Sequence, residues 1–167
     1  MAVSAAGVPF VVTVRPDYIT QNGIPSTEER TAAFPESVAI VGDHIVSANA
    51  KAGSLSVFML DDLEPLGDIE LGGSPVRVLA VDGNRLAVSL DLADKVVIVD
   101  LEEGRVTEKF DARRPDGLCL SNDGLFLVIV SNTDAIVQIR SIDNWAVALR
   151  INTDRGPGAC LWLSEAD

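Results

Sequence analysis

The chain has 167 residues, of which 47% are apolar and 23% charged, and its formal net charge is -12 at pH 7. A chain of this length and composition buries enough apolar surface to fold as one domain, which argues against disorder. The acidic charge argues against nucleic acid and against an anionic membrane surface as partners, because both repel it.

Three short strands are predicted in the first part of the chain. Residues 10–14, 17–21 and 28–34 are short stretches without helical periodicity, and turn residues separate them. This pattern is typical of small antiparallel strands.

From residue 35 onward the sequence repeats. Pro35, Pro75, Pro115 and Pro157 are spaced by 40, 40 and 42 residues, and a short apolar run follows each of them. We name this run strand A. Self-similarity at a period of about forty residues indicates a repeat architecture.

Each of the three full repeats continues with a turn and three further strands. The turns after strand A contain Asp43, Asp82-Gly83 or Asp123-Gly124, and Asp-Gly between apolar runs is a strong hairpin signal. Strand B is predicted at residues 44–48, 85–89 and 126–130. Strand C is predicted at residues 54–60, 95–100 and 135–140. Strand D is predicted at residues 66–71, 105–110 and 146–151.

Four antiparallel strands in about forty residues is the size of one β-propeller blade, whereas a β-sandwich would require the spacing to arise by chance. We therefore predict an all-β propeller with about four blades per chain. Residues 10–34 lack a strand A, and residues 159–163 after Pro157 are predicted to supply it. The predicted repeats of this single domain are 1–35 plus 158–167, 36–75, 76–115 and 116–157.

Several segments resemble a known family. Residues 122–132 (Asn-Asp-Gly-Leu-Phe-Leu-Val-Ile-Val-Ser-Asn), and residues 96–101 with Gly104, resemble the YVTN β-propeller repeat. Residues 54–58, 65–67 and 72–75 are similar to bacterial lactonase-like propellers. The resemblance implies a propeller, and it suggests a hydrolase acting on a small anionic lactone as an alternative function. No catalytic residues match, so the sequence leaves open whether the protein is an enzyme.

Propellers of that family have about seven blades in one chain, whereas this sequence accounts for about four. Three arrangements are compatible with it. The chain closes as a four-bladed ring, two chains join head to tail into an eight-bladed ring, or the chain is a piece of a longer propeller that needs a partner. Bulky residues in the A strands favour the head-to-tail dimer, because a four-fold axis would be crowded.

Basic residues are predicted to collect on one face of the propeller. The loops that join strand D to strand A, and strand B to strand C, gather on this face, which we name the top face. Arginine side chains suit carboxylate and phosphate groups, so we predict a site for a small anionic ligand. The alternative is that nearby aspartates neutralise these side chains. The predicted binding residues are Lys51, Arg77, Arg113, Arg114 and Arg155.

The remaining reactive residues give little indication of chemistry. Cys119 and Cys160 have no metal-binding spacing and are expected as buried thiols on opposite sides of the pleat, not as a disulfide. His44, the only histidine, is expected at the surface. We predict no cofactor and no metal site. The side chains whose oxygen atoms could bind a divalent cation are those of Asn49, Asp91, Asn132 and Asp134.

The sequence therefore favours a binding or assembly module that self-associates or is completed by a partner. The apolar N-terminal stretch has no basic residue before Arg15, and no apolar run is long enough for a membrane helix. On these grounds we expect a soluble, cytoplasmic protein.

Overall fold

The structure is a computed structural model that describes residues 2–3, 7, 9–13, 18–21 and 28–160. Sixteen strands are present among these residues. The first four are β1 (Ala2–Val3), β2 (Pro9–Thr13), β3 (Tyr18–Gln21) and β4 (Glu28–Arg30). The next four are β5 (Pro35–Val41), β6 (His44–Asn49), β7 (Ser54–Met59) and β8 (Pro65–Glu70). They are followed by β9 (Pro75–Ala80), β10 (Arg85–Leu90), β11 (Lys95–Asp100) and β12 (Arg105–Asp111). The last four are β13 (Pro115–Leu120), β14 (Phe126–Ser131), β15 (Ile136–Ser141) and β16 (Val147–Asn152).

Each consecutive group of four strands forms one antiparallel sheet in chain order. We number these sheets 1 to 4. Single-residue shifts of register occur near the ends of several strand pairs, for example between Ser89 and Leu90. A single short helical turn, Asp91–Ala93, lies between β10 and β11. No helical segment in the described ranges has the length and apolar character needed to cross a membrane.

The central strands are apolar on both sides because both faces of a sheet are covered. In β11 the four residues between Lys95 and Asp100 are all buried. Alternate side chains of a strand point to opposite faces, so Val97 packs toward sheet 2 and Ile98 toward sheet 4. A sheet with neighbours on both sides therefore has continuous apolar strands, unlike a sheet with one solvated face.

Three apolar clusters join the four sheets face to face. One contains Ile19 and Phe58 between sheets 1 and 2, and a second contains Leu55 and Val88 between sheets 2 and 3. The third contains Ile98 between sheet 3 and sheet 4. The sheets thus follow one another in sequence order, as the blades of a propeller do. The predicted β-propeller of four-stranded antiparallel blades is confirmed.

The inner strand of sheet 1 differs from the prediction. The sequence assigned this position to residues 159–163, but β1 occupies it and pairs Ala2 with Phe10 and Val3 with Pro9. β1 takes this position because only a short connection in the same chain separates it from the first residues of β2. Ala159 and Cys160 are not in a strand, and residues 161–163 lie outside the described residues.

The expectation of two separate thiols is wrong. Cys119 and Cys160 form a disulfide, with their Cα atoms 6.0 Å apart, a separation that suits such a bond. The prediction assumed that Cys160 lies in a strand in register with its neighbours. Instead, the chain after β16 turns back across sheet 4 and brings Cys160 over Cys119 in β13.

Candidate functional site

One face of sheet 4 has no neighbouring sheet among the described residues. Leu127 and Ile129 of β14 point toward sheet 3, so Val128 and Val130 point away from it. Gln138 of β15 also points toward sheet 3, where its amide donates to the carbonyl oxygen of Asp111. We name the opposite side the open face. It comprises Val128, Val130, Val137, Ile139, Leu149 and Ile151.

The strand register shows that the open face is equivalent to faces that are covered elsewhere. In sheet 2, Leu55 pairs with Ile69, and both pack in the cluster that joins sheets 2 and 3. In sheet 3, Val96 pairs with Phe110 at the same place and packs toward sheet 4. In sheet 4, the equivalent pair is Val137 with Ile151.

Exposure distinguishes the third of these pairs from the other two. Ile69 is 9% exposed and Phe110 is 8% exposed, but Ile151 is 43% exposed. Leu149, two residues away on the same strand, is 50% exposed. The open face therefore has the apolar composition of a blade seam without the covering sheet, and contiguous exposed apolar surface of this kind indicates an interaction site.

The outer edge of sheet 4 also differs from the other outer edges. The outer strands β8 and β12 carry several charged residues, which discourage pairing with another strand. Outer strand β16 carries one, Arg150, and all six of its residues are exposed. This strand therefore lacks the charges that protect the other two edges.

The inner part of the open face is covered by the segment that follows β16. A Cβ atom on Gly117 would lie 3.1 Å from the Cα atom of Ala159 and 3.2 Å from both Cys160 N and the Cβ atom of Val130. The segment 156–160 therefore runs directly over β13, on the same side as Val130. It leaves the outer strands β15 and β16 uncovered.

Two of the arginines predicted for the top face are paired with aspartates. Backbone hydrogen bonds join the loops that define it, for example Asn132 N–H to the carbonyl oxygen of Arg114. The Arg114 guanidinium donates from Nε and Nη2 to the two carboxylate oxygens of Asp91, each at 3.1 Å. This hydrogen bond and the charge of Asp91 raise the pKa of Arg114. Arg113 lies 3.5 Å from Asp134.

The other three predicted residues are spread over the top face. Lys51 lies in the turn between β6 and β7, Arg77 in β9, and Arg155 beyond β16, and all three side chains are exposed. Only Arg114 lines the cleft of about 250 Å³ between sheets 3 and 4, together with Asp91, Asp116 and Asn132. Anion binding would require Arg113 and Arg114 to leave their carboxylate partners, so it stays a prediction.

Residues considered for metal or acid–base chemistry do not gather into one site. No group of three or more metal-ligating side chains is found within the described part of the chain. The Asn49 amide is buried and donates to Ser56 Oγ at 2.9 Å. His44 is half-buried and lines an outer groove between sheets 2 and 3, away from the top face. Lactonase activity therefore stays a prediction without assigned catalytic residues.

The open face was missed at the sequence level, although a signal for it exists. Val147, Leu149 and Ile151 fall at the register places of Val106, Glu108 and Phe110 in sheet 3, so strand β16 carries a leucine where sheet 3 carries a glutamate. A search for the outer strand with the least charge would have singled out β16.

Comparisons with known proteins agree with the fold and give no family. No protein-family model matches the sequence, and no curated protein matches it either. Among solved structures, hydrazine synthase of Kuenenia stuttgartiensis, which contains a β-propeller, is similar with a TM-score of 0.80 and 19% sequence identity. The match covers 89% of this chain and 47% of that chain, so this chain spans about half its length.

Proposed function

We propose that this protein is a propeller assembly module that self-associates through the open face of sheet 4. The observation that carries the proposal is the exposure of Ile151 at the position where sheets 2 and 3 bury Ile69 and Phe110 against the next blade. Covering this face removes apolar surface from water, which is the main favourable contribution to association.

The occupant we propose is sheet 1 of a second copy. The fold already stacks four sheets in one direction, so a sheet added to sheet 4 continues the same rotation. Two arcs of four blades joined head to tail make an eight-bladed ring with two-fold symmetry, and a closed ring forms no filament.

The solution mass tests the proposal. Light scattering at micromolar concentration should give twice the chain mass of 17.7 kDa. Ile151→Asp should give the monomer mass, because a buried charge at a seam costs several kcal/mol unless it is paired. The matched control is Leu92→Asp. Leu92 is 82% exposed in the turn after β10, outside the open face, so this variant should remain a dimer.

Two outcomes would contradict self-association through this face. A wild-type protein that stays at 17.7 kDa up to tens of micromolar would exclude a stable dimer. A dimer that Ile151→Asp and Leu92→Asp leave equally intact would place the interface elsewhere.

A further inference from the structure

The segment after β16 has a second role if the proposed dimer forms. We infer that residues 157–160 are the upper half of the inner strand of the blade that covers the open face, and that the partner copy supplies the rest of that blade with its own β1–β4. This inference rests on the proposed self-association, and it specifies which part of the second copy binds and where.

The first argument is the position of the segment on sheet 4. In the seam between sheets 2 and 3, Ser37 Oγ accepts a hydrogen bond from the N–H of Val78, the third residue after Pro75. Gly117 is the register equivalent of Ser37, because they pair with Val130 and Ala48 at matching places in their sheets.

Gly117 faces Cys160 in the same way that Ser37 faces Val78. The position of its Cβ atom lies 3.2 Å from Cys160 N, and Cys160 is the third residue after Pro157. Residues 157–160 therefore lie on β13 as the start of β9 lies on β5. This is the place of the inner strand of a fifth blade.

The segment after β16 lies close against sheet 4, and a disulfide joins it to that sheet. A Cβ atom on Gly156 would overlap the carbonyl oxygen of Asn132, so glycine is the residue that permits the chain to pass at this point. The Cys119–Cys160 disulfide then fixes the end of the segment to β13. The segment therefore has a fixed position on β13 before a second copy binds. This lowers the entropy lost on binding.

The second argument is the part of the inner strand position that β1 leaves unfilled in the described part of sheet 1. In sheet 2 the inner strand pairs with the next strand along its whole length, from Pro35 with Asn49 to Val41 with His44. In the described part of sheet 1, β1 pairs only with the first two residues of β2, Pro9 and Phe10. That is the end of β2 that corresponds to the last residues of an inner strand.

Residues 157–160 correspond to the first residues of an inner strand, which pair with the end of the next strand. At the equivalent places Pro75 pairs with Leu90 and Pro115 with Ser131, the last residues of β10 and β14. The segment of one copy therefore fits beside Val11–Thr13 in the partner's β2. Addition of a strand to a sheet edge supplies backbone hydrogen bonds in addition to the apolar contact of the open face.

The experiment compares the intact chain with a chain that ends at residue 156. For both, the dimer dissociation constant is measured by sedimentation equilibrium, and hydrogen exchange is measured at the amides of residues 11–13. We expect the truncation to weaken the dimer at least tenfold, because it removes the strand that bridges the copies. We also expect residues 11–13 to be protected in the intact dimer and to lose that protection in the truncated protein.

Reduction provides a second measurement without a deletion, in case the truncated chain fails to fold. Dithiothreitol should weaken the wild-type dimer at least threefold, because it frees Cys160 from Cys119 and the segment loses its fixed position. The Cys119→Ser/Cys160→Ser variant is the matched control and should be insensitive to dithiothreitol.

The results separate this inference from the proposal on which it rests. If the wild-type protein is a dimer, and neither truncation nor reduction changes its dissociation constant or the exchange of residues 11–13, the bridging strand is wrong while self-association stands. If the wild-type protein is a monomer, self-association itself is wrong and the bridging strand with it.

Discussion

Single side chains stabilise the turns on the face opposite the top face. Asp82, in the turn between β9 and β10, accepts hydrogen bonds from the backbone N–H groups of Asn84 at 3.0 Å and Arg85 at 2.8 Å. Arg85 Nε also donates to its carboxylate at 2.7 Å. Burial by itself would raise the pKa of Asp82, but these hydrogen bonds and the charge of Arg85 outweigh burial and lower it.

A lowered native pKa makes the contribution of Asp82 to stability depend on pH. Its stabilisation is fully present above the unfolded value of about 3.9 and is lost as the pH falls through the lower native value. We expect Asp82→Asn to reduce the free energy of unfolding by about 0.5–1 kcal/mol at pH 7 and by much less at pH 2.5. Urea unfolding at both pH values measures this, with Asp61→Asn in an exposed turn as control. An equal loss at both pH values would contradict the electrostatic cause.

Two glycines in equivalent turns allow the cost of a left-handed backbone conformation to be distinguished from the cost of close packing. Gly42 has φ of 54°, and a Cβ atom there would lie 2.8 Å from the carbonyl oxygen of Gly83 in the neighbouring sheet. Gly124 has φ of 70° with open space around it. We expect Gly124→Ala to cost about 1–2 kcal/mol for the left-handed conformation and Gly42→Ala about 1–3 kcal/mol more. Thermal unfolding of both variants checks this, and equal losses would mean that the sheets can separate at Gly83.

At the scale of elements, the outer part of the seam between sheets 3 and 4 is closed by aromatic and cationic groups. The Phe110 and Trp145 ring centroids are 5.7 Å apart. The Arg85 guanidinium lies 5.1 Å from the Trp145 ring centroid, and the Arg140 guanidinium lies 4.2 Å from that of Phe110. Burial, then the charge of Arg150, lowers the pKa of Arg140. The alternating guanidinium and ring contacts tie the two sheets together where β12 and the β15–β16 turn meet.

Removal of the tryptophan ring should weaken this seam. We expect Trp145→Ala to lower the free energy of unfolding by about 2–3 kcal/mol, because it removes ring packing from Phe110 and a cation–π contact from Arg85. Leu125→Ala, at an exposed residue in a turn of the same sheet, should change it by less than about 0.5 kcal/mol. Chemical denaturation measures both. Similar small effects from the two variants would show that the seam does not depend on the aromatic pair.

At the scale of the whole molecule, three apolar seams hold four sheets and cover six of their eight faces, so the described arc ends with one face on sheet 1 and one on sheet 4. If the open face is covered by a second copy, stability must depend on concentration, because dissociation and unfolding are linked by mass action. A tenfold rise in protein concentration should raise the melting temperature by about 2 °C. Ile151→Asp should melt at one temperature across the same range. A wild-type melting temperature independent of concentration would oppose self-association.

The compartment is also a property of the whole chain. Disulfides persist mainly in oxidising compartments, and Cys119 and Cys160 are both only half-buried, so a cellular thiol could reach them. The cytoplasmic location therefore stays a prediction, and the disulfide weighs against it.

Periodicity alone determined the blade architecture of this protein. Prolines at a spacing of about forty residues, Asp-Gly turns and short apolar strands locate β5 to β16 to within a few residues, because turn chemistry and strand alternation are local properties. The tertiary structure decided what depends on where distant segments meet. Cys160 reaches Cys119 only because the chain turns back over sheet 4, and Arg114 meets Asp91 only where two loops converge. Ile151 has the same apolar character as Ile69 in the sequence, and only the stacking of sheets shows that one is covered and the other exposed.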